Sequence, residues 1–188
     1  MREVIRLGII LLIISAVAAA VLAYTNEITK EPIEQQVLQA NIEARKSILE
    51  DASEFEEISH DQFENYTGVS EVYRGIKNGE TVGFTIKTNP EGYGGPIEVT
   101  VGIRIDGTIS GISIGNHSET PGLGAKISEE SFKNQYVGKN TAQELSVIKS
   151  GTPKDNEIQA ISGATITSDA VTAGVNTAVK LFNEKLNK

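Results

Sequence analysis

The sequence predicts an α+β protein with a single N-terminal transmembrane helix, followed by one domain built on an antiparallel sheet with flanking helices. Three observations lead to this fold class. An uncharged apolar run covers residues 7–24, two pairs of β-branched segments each flank an Asn-Gly or Asp-Gly dipeptide, and a helical apolar stripe lies near the end of the chain. Locally paired strands with helices outside them are typical of α+β folds.

The apolar run Leu7–Tyr24 predicts a membrane anchor. As a helix it would span about 27 Å, close to the ~30 Å hydrocarbon core of a bilayer. Arg2 and Arg6 precede the run and mostly acidic residues follow it. The positive-inside bias therefore predicts a cytoplasmic N-terminus at residues 1–6 and an extracytoplasmic domain on the cell (inner) membrane. A cleaved signal peptide is the alternative, although the run is long for the apolar region of a signal.

Residues 25–66 are predicted to form a helical stalk and connector. Pro32 lies near the start of this stretch, where a helix tolerates proline. Apolar residues recur at the helical spacings of three and four, namely at Ile33, Val37, Ala40, Ala44 and Ile48. We interpret this stretch as a stalk helix that packs on the domain.

Residues 67–188 are predicted to form the domain, beginning with two β-hairpins. Val69–Ile76 and Thr81–Lys87 flank Asn78-Gly79. Ile97–Ile105 and Thr108–Ile114 flank Asp106-Gly107. Both dipeptides favour the tight turn of a hairpin. Between the hairpins, residues 89–96 hold too many glycines and prolines for a strand or a helix, which predicts a loop.

Two helices are predicted after the hairpins. A short one covers Ser128–Tyr136, with Ser128 as its N-cap. A longer one runs from about Ser168 to Leu186, with Thr167 or Ser168 as its cap. Its apolar stripe consists of Val171, Val175, Ala178, Phe182 and Leu186.

Composition argues against several classes of function. The chain has no cysteine, which excludes disulfides, thiolate metal sites and protein-ligated iron–sulfur clusters. Its two histidines disfavour a multi-histidine metal site, and its net charge of −8 disfavours nucleic acid as a partner. The sequence contains no G-x-S-x-G elbow at a strand-to-helix turn, which would indicate a hydrolase. It also contains no G-x-G-x-x-G unit, which would indicate NAD binding.

Three stretches could carry chemistry. Ser162–Ser168 crowds four hydroxyls around two small residues ahead of a helix, whose N-terminus favours phosphate. His117–Lys126 contains Pro121, Gly122 and Gly124, which could bring backbone N–H groups against a planar or anionic ligand. Glu91–Gly95 places Tyr93 among glycines. Taken alone, the first two are more simply a helix cap and a connecting turn, and Tyr93 is equally well an ordinary exposed tyrosine.

Taken together and in order, GYGGPIEV, HSETPGLGAKI and AISGATITSDAV resemble the FMN-binding domain of the G subunit of the Rnf electron-transport complex. The related C subunit of the sodium-pumping NADH:quinone reductase shares the pattern. The resemblance covers the anchor and most of residues 69–188. It implies an electron-relaying redox subunit of an ion-translocating ferredoxin:NAD⁺ oxidoreductase, not catalytic alone, with the other Rnf subunits, including membrane subunits, as partners.

The same resemblance implies that FMN is bound covalently, through a phosphoester to Thr165 at the end of the S-G-A-T motif. A flavin transferase would attach it outside the cytoplasm during maturation. Gln159 stands where the family motif usually has an acidic residue. The implied cofactor-binding residues are Ser162, Gly163, Ala164, Thr165, Thr167 and Ser168 of this motif, Glu119, Thr120, Pro121, Gly122, Leu123 and Gly124 of the ETPGLG stretch, and Tyr93 and Gly94 of the glycine-rich loop.

Two other functions remain open at the level of sequence. One is a stand-alone extracytoplasmic flavodomain that serves another reductase, which would share every site residue. The other is a cofactor-free anchored binding module, since a fold by itself does not specify a ligand.

Overall fold

A computed structural model describes residues 1–187, which divide into two compact units: residues 1–42, and the residues from Glu43 onward. The first unit belongs to α1 (Arg2–Ile48), which contains an 18-residue window of mean hydropathy 2.7. Among the described helices, α1 is the one long and apolar enough to cross a membrane, a criterion that a signal sequence also meets. Along the predicted stalk stripe, Ile33 and Val37 are exposed.

The second unit is built on a five-stranded antiparallel sheet whose strands lie in chain order. The strands are β1 (Glu54–Glu57), β2 (Val69–Lys77), β3 (Glu80–Thr88), β4 (Val99–Arg104) and β5 (Ile109–Ile114). Asn78 and Gly79 both have positive φ angles, 53° and 83°, as the predicted tight turn requires. Both hairpins and the α+β fold class are confirmed.

The two edge strands of the sheet differ from each other. The strand β1, which the sequence did not predict, is short and carries three glutamates, Glu54, Glu56 and Glu57. At the other edge, the N–H of Ile109 donates to the carbonyl of Lys139 at 2.8 Å, and the N–H of Gly138 donates to the carbonyl of Ile109 at 2.8 Å. One edge is thus short and acidic, and the other is partly covered by a loop.

The helices after the sheet differ from prediction at their N-termini, and the first of them also ends at Lys133 and not at the predicted Tyr136. A 3₁₀ turn at Gly124–Ser128 precedes the single turn α2 (Glu130–Lys133), whose N-cap is Glu129, so the predicted cap at Ser128 is wrong. The last helix, α3, spans Thr165–Leu181 and continues into a π-helical turn at Phe182–Leu186. It begins three residues before the predicted start. A small parallel pair, β6 (Ser146–Ile148) and β7 (Glu157–Gln159), lies between these helices in the chain.

One face of the sheet packs against α3 and forms the core. Ile86 and Val101 from the sheet are fully buried, as are Val171 and Val175 from α3. The ring of Phe182 meets the ring of Phe84 edge-on, with centroids 6.1 Å apart. This packing confirms the predicted apolar stripe of α3 and places its N-terminus beside the loops that follow β3 and β5.

The other face of the sheet is covered by the end of α1. Leu49 is 1% exposed and packs over glycines of β2 and β3, where a Cβ on Gly75 would lie 2.5 Å from its Cδ2. A Cβ on Gly102 would lie 2.8 Å from the carbonyl oxygen of Ile48. The absence of side chains at these glycines lets the end of α1 lie directly on the strands.

A partly buried ion-pair cluster ties the same helix end to the sheet. The guanidinium of Arg45 lies 2.9 Å from the Glu71 carboxylate and stacks 3.6 Å above the ring centroid of Tyr73. The ammonium of Lys87 lies 3.4 Å from the other carboxylate oxygen of Glu71. The last turn of α1 is therefore part of the folded domain.

Candidate functional site

A cleft of about 610 Å³ opens at the N-terminus of α3. It unites residues of all three stretches that the sequence singled out. Its lining consists of Tyr93, Glu119, Thr120, Leu123, Gly124, Gly163, Ala164, Thr165, Ile166 and Thr167. The cleft falls within the roughly 300–1,000 Å³ of typical small-molecule and cofactor sites.

The loops meet closely because they are rich in glycine. Gly163 has a φ of +78°, and a Cβ there would lie 3.3 Å from Cδ2 of Leu123. The S-G-A-T motif and the ETPGLG stretch are therefore in close contact at this point. A Cβ on Gly124 would lie 3.0 Å from Oγ1 of Thr167. Larger residues at these points would push the two stretches apart.

The N-terminus of α3 has no side-chain cap. Ala164 occupies the N-cap position and makes no side-chain hydrogen bond, so the predicted caps at Thr167 and Ser168 are wrong. First-turn N–H groups of a helix carry partial positive charge and need a partner from outside the helix. This helix end therefore presents N–H donors beside the cleft.

The four hydroxyls of Ser162–Ser168 lie in different environments. The hydroxyl of Thr167 is buried and donates to Oε2 of Glu119 at 2.7 Å. The hydroxyl of Ser168 is buried and donates to the carbonyl of Ala164 at 3.0 Å, while accepting from the N–H of Ile161 at 3.0 Å. Thr165 is half-buried and lines the cleft, whereas Ser162 is exposed and lies outside the lining.

Glu119 is a buried carboxylate, only 5% exposed, at the centre of the site. Its Oε1 accepts from the N–H of Gly94 at 3.0 Å, and it also accepts from the N–H of Tyr93 and the hydroxyl of Thr167. Burial by itself would raise the pKa of this carboxyl. The hydrogen bonds from Gly94, Thr167 and Tyr93, with the nearby His117, outweigh burial, so the pKa of Glu119 lies below its ordinary value.

The imidazole of His117 forms hydrogen bonds at the start of the ETPGLG stretch. Its Nδ1 accepts from the N–H of Glu119 at 3.3 Å, and its Nε2 lies 3.3 Å from the hydroxyl of Ser128. A ring nitrogen that accepts a hydrogen bond carries no proton, so in the neutral form of His117 the proton is on Nε2. The imidazole thus positions the backbone of Glu119.

Not every residue predicted for the site lies in the cleft. Ser162, Pro121, Gly122 and Ser168 are outside its lining, and Gly94 contributes through its N–H to Glu119. Ile166, which the sequence did not single out, lines the cleft and is 59% exposed. An apolar residue between two threonines, just before the predicted helix start, is the signal that could have revealed it.

The residues present fit a phosphate-bearing flavin. Tyr93, Leu123 and Ile166 are exposed apolar side chains around one opening, which suits a flat aromatic ring system. The uncapped start of α3 suits a phosphate. Thr165 supplies a hydroxyl at the point where these two features meet.

Two protein families match the chain. Residues 92–180 match the FMN-binding domain, and residues 1–48 match the RnfG N-terminal region. The first match begins just before Tyr93 and includes every residue of the cleft lining, while the second covers all of α1.

Similar curated proteins are found in bacteria and archaea. The chain is 46% identical to the G subunit of the Na⁺-translocating ferredoxin:NAD⁺ oxidoreductase complex of Acetobacterium woodii, over 96% of this chain and 92% of that protein. It is 36% identical to the G subunit of the ion-translocating oxidoreductase complex of Methanosarcina acetivorans, over 95% of this chain and 94% of that protein.

Among solved structures, the chain is similar to the C subunit of the Na⁺-translocating NADH-quinone reductase from Parabacteroides distasonis. The TM-score is 0.54 at 25% identity, and the match covers 63% of each chain. The shared part has the fold described above.

Proposed function

Since the chain belongs to the family of G subunits of Rnf ion-translocating oxidoreductase complexes, which are electron-transfer flavoprotein subunits, we propose that it carries FMN as a phosphoester on Thr165. In this role it relays electrons within a ferredoxin:NAD⁺ oxidoreductase complex. Its partners are the other Rnf subunits. During maturation a flavin transferase moves the FMN moiety of FAD onto the Thr165 hydroxyl, which breaks the pyrophosphate bond of FAD and releases AMP and the hydroxyl proton.

The observation that carries the proposal is the availability of the Thr165 hydroxyl. Thr167 and Ser168 hold their hydroxyls in buried hydrogen bonds, whereas Thr165 lines the cleft and has no hydrogen-bond partner for its hydroxyl among the described residues. Ser162 is exposed but lies away from the cleft lining. Among the four hydroxyls of Ser162–Ser168, Thr165 is thus the one that both lines the cleft and is accessible to a transferase.

Different residues around Thr165 bind the phosphate and the ring system of FMN. The N–H groups at the start of α3 bind a phosphate on Thr165, because the helix dipole favours negative charge there. Tyr93, Leu123 and Ile166 pack on the ring system and leave the cleft open at the surface. Bound FMN supplies the capacity to accept and donate single electrons. A tether on Thr165 keeps the cofactor in an open cleft.

The membrane topology is part of the same proposal. Arg2 and Arg6 on one side of the apolar run and acidic residues on the other support a cytoplasmic N-terminus and an extracytoplasmic flavin domain. Because this chain has no cysteine, iron–sulfur clusters of such a complex would be ligated by other subunits.

The proposal is tested by locating the flavin. The full chain is produced together with a flavin transferase, and the denatured protein is examined for fluorescence in a gel and by peptide mass. We expect fluorescence and FMN mass on the Thr165 peptide, complete loss in Thr165→Ala, and retention in Thr167→Ala. Thr165→Ser keeps a hydroxyl and is the matched control. Flavin on Ser162, Thr167 or Ser168, or no covalent flavin in the parent, contradicts the proposal.

A further inference from the structure

Three separate segments of the chain converge on one carboxylate. Glu119 lies on the ETPGLG stretch, its Oε1 accepts from the N–H of Gly94 on the glycine-rich loop, and its Oε2 accepts from the hydroxyl of Thr167 on α3. Thr167 is only 2% exposed, so this bond is shielded from water. A charge-assisted hydrogen bond is stronger than a neutral one.

The glycine-rich loop is shaped to lie against this carboxylate. A Cβ on Gly94 would strike the carbonyl of Ser118, and a Cβ on Gly92 would strike the carboxylate of Glu119 and lie 2.6 Å from Cδ1 of Ile97. Tyr93, between these glycines, is 70% exposed. Glu119 thus lies against Gly92 on one side of Tyr93 and accepts from Gly94 on the other, while the exposed Tyr93 side chain lines the cleft.

We infer that Glu119 is a positioning residue of the flavin site, which fixes the backbone of Tyr93 and the first turn of α3 relative to each other. This inference rests on the proposed function. Glu119 acts through Tyr93 and Thr167, so that the walls of the cleft are in place before a cofactor binds. A preorganised site avoids the entropic cost of ordering these segments on binding.

The first test measures the mobility of the loop without any flavin. Hydrogen–deuterium exchange is recorded on the full chain in detergent, made without the transferase. We expect the amides of Tyr93 and Gly94 to exchange at least about tenfold faster in Glu119→Gln than in the parent. The matched control is Glu91→Gln, which removes an exposed carboxylate from the same loop and should leave exchange unchanged. Equal exchange in the parent and Glu119→Gln overturns the inference.

The second test separates position from charge in the flavin-loaded chain. Glu119→Asp keeps the negative charge but shortens the side chain by one methylene, so it cannot reach both Gly94 and Thr167. We expect Glu119→Asp and Glu119→Gln to shift the flavin absorption spectrum in the same way, with FMN still on Thr165. A spectrum of Glu119→Asp that matches the parent assigns the effect to charge and overturns a positioning role.

A further variant serves if Glu119 substitutions prevent folding. Thr167→Val removes one donor and leaves the bond from Gly94 to Glu119 intact. We expect faster exchange at Ser168, whose N–H donates to the carbonyl of Ala164 at 3.0 Å, and a changed flavin spectrum; no change in either overturns the inference. Absence of flavin in the parent would instead contradict the proposed function, while the exchange results on flavin-free protein would still test the role of Glu119.

Discussion

Glu119 retains its charge inside the protein because donors surround it. Its pKa is lowered in the folded protein, since the hydrogen bonds from Gly94, Thr167 and Tyr93 outweigh the burial that would raise it. A group whose pKa is lowered on folding stabilises the folded state at pH values above its unfolded pKa, which is about 4.3 for glutamate. That stabilisation is lost as the pH falls through the folded-state value.

Replacement of this carboxylate should therefore have a pH-dependent effect on stability. We expect Glu119→Gln to lower the free energy of unfolding of the domain by roughly 1–3 kcal/mol at pH 7. The difference from the parent should shrink as the pH falls below the unfolded pKa of about 4.3 and through the lower folded-state pKa, where the parent also becomes protonated. Urea unfolding of the full chain in detergent at pH 7 and over this acidic range measures this. A difference that is constant with pH would show that the charge of Glu119 does not contribute.

Glu119 and the residues that contact it also show which features of the site the sequence patterns did not predict. Four hydroxyls before a helix suggested a cap at Thr167 or Ser168. The helix instead begins at Thr165, and the hydroxyl of Thr167 bonds to Glu119, 48 positions earlier in the chain. Such a tertiary contact leaves no local periodic signal. Gly124 was expected to make room for a ligand, and it is also packed against Glu119 and Thr167.

Among the elements, the last turn of α1 has two roles. It belongs to the helix that contains the apolar run, and with Leu49, the residue after the helix, its Ile48 covers one face of the sheet. The Arg45–Glu71 pair adds a partly buried charge interaction. Removal of Arg45 leaves Glu71 paired with Lys87, whereas removal of Glu71 leaves the buried guanidinium of Arg45 without this carboxylate and is the costlier change.

The contribution of this helix end can be measured with one substitution. We expect Leu49→Ala to destabilise the domain by about 2–4 kcal/mol, because the lost methyl groups leave a cavity over Gly75 and Gly83. Leu38→Ala, on an exposed part of the same helix, is the control and should change stability by less than about 0.5 kcal/mol. Equal unfolding midpoints of the two variants in detergent would contradict the packing described.

The helices and strands that were predicted correctly are those with a local sequence signal. Asn78-Gly79 and Asp106-Gly107 fix their hairpins within a few residues, and the stripe of α3 follows a regular period. The strand β1 was missed because three of its four residues are glutamates, which are uncommon in strands. It forms by pairing with the edge of β2, which no local pattern encodes.

For the whole molecule, the charge asymmetry around the apolar run makes a topological prediction. A reporter that is active only outside the cytoplasm, fused after Lys188, should be active, and a reporter active only inside should be silent. Replacement of Arg2 and Arg6 by glutamate should weaken this bias, because the positive charges set the orientation. The opposite pattern in the parent would contradict the proposed side of the flavin domain and the compartment of the transferase.

The edges of the sheet also govern how neighbouring copies behave. Anchored proteins diffuse in two dimensions and meet one another at high local concentration, so an open strand edge would invite polymerisation of the domains. Here, Glu54, Glu56 and Glu57 give β1 like charges that repel a second copy of the same edge. The backbone at Lys139 already occupies hydrogen bonds on β5. Both features disfavour edge-to-edge pairing of domains that crowd at a membrane surface.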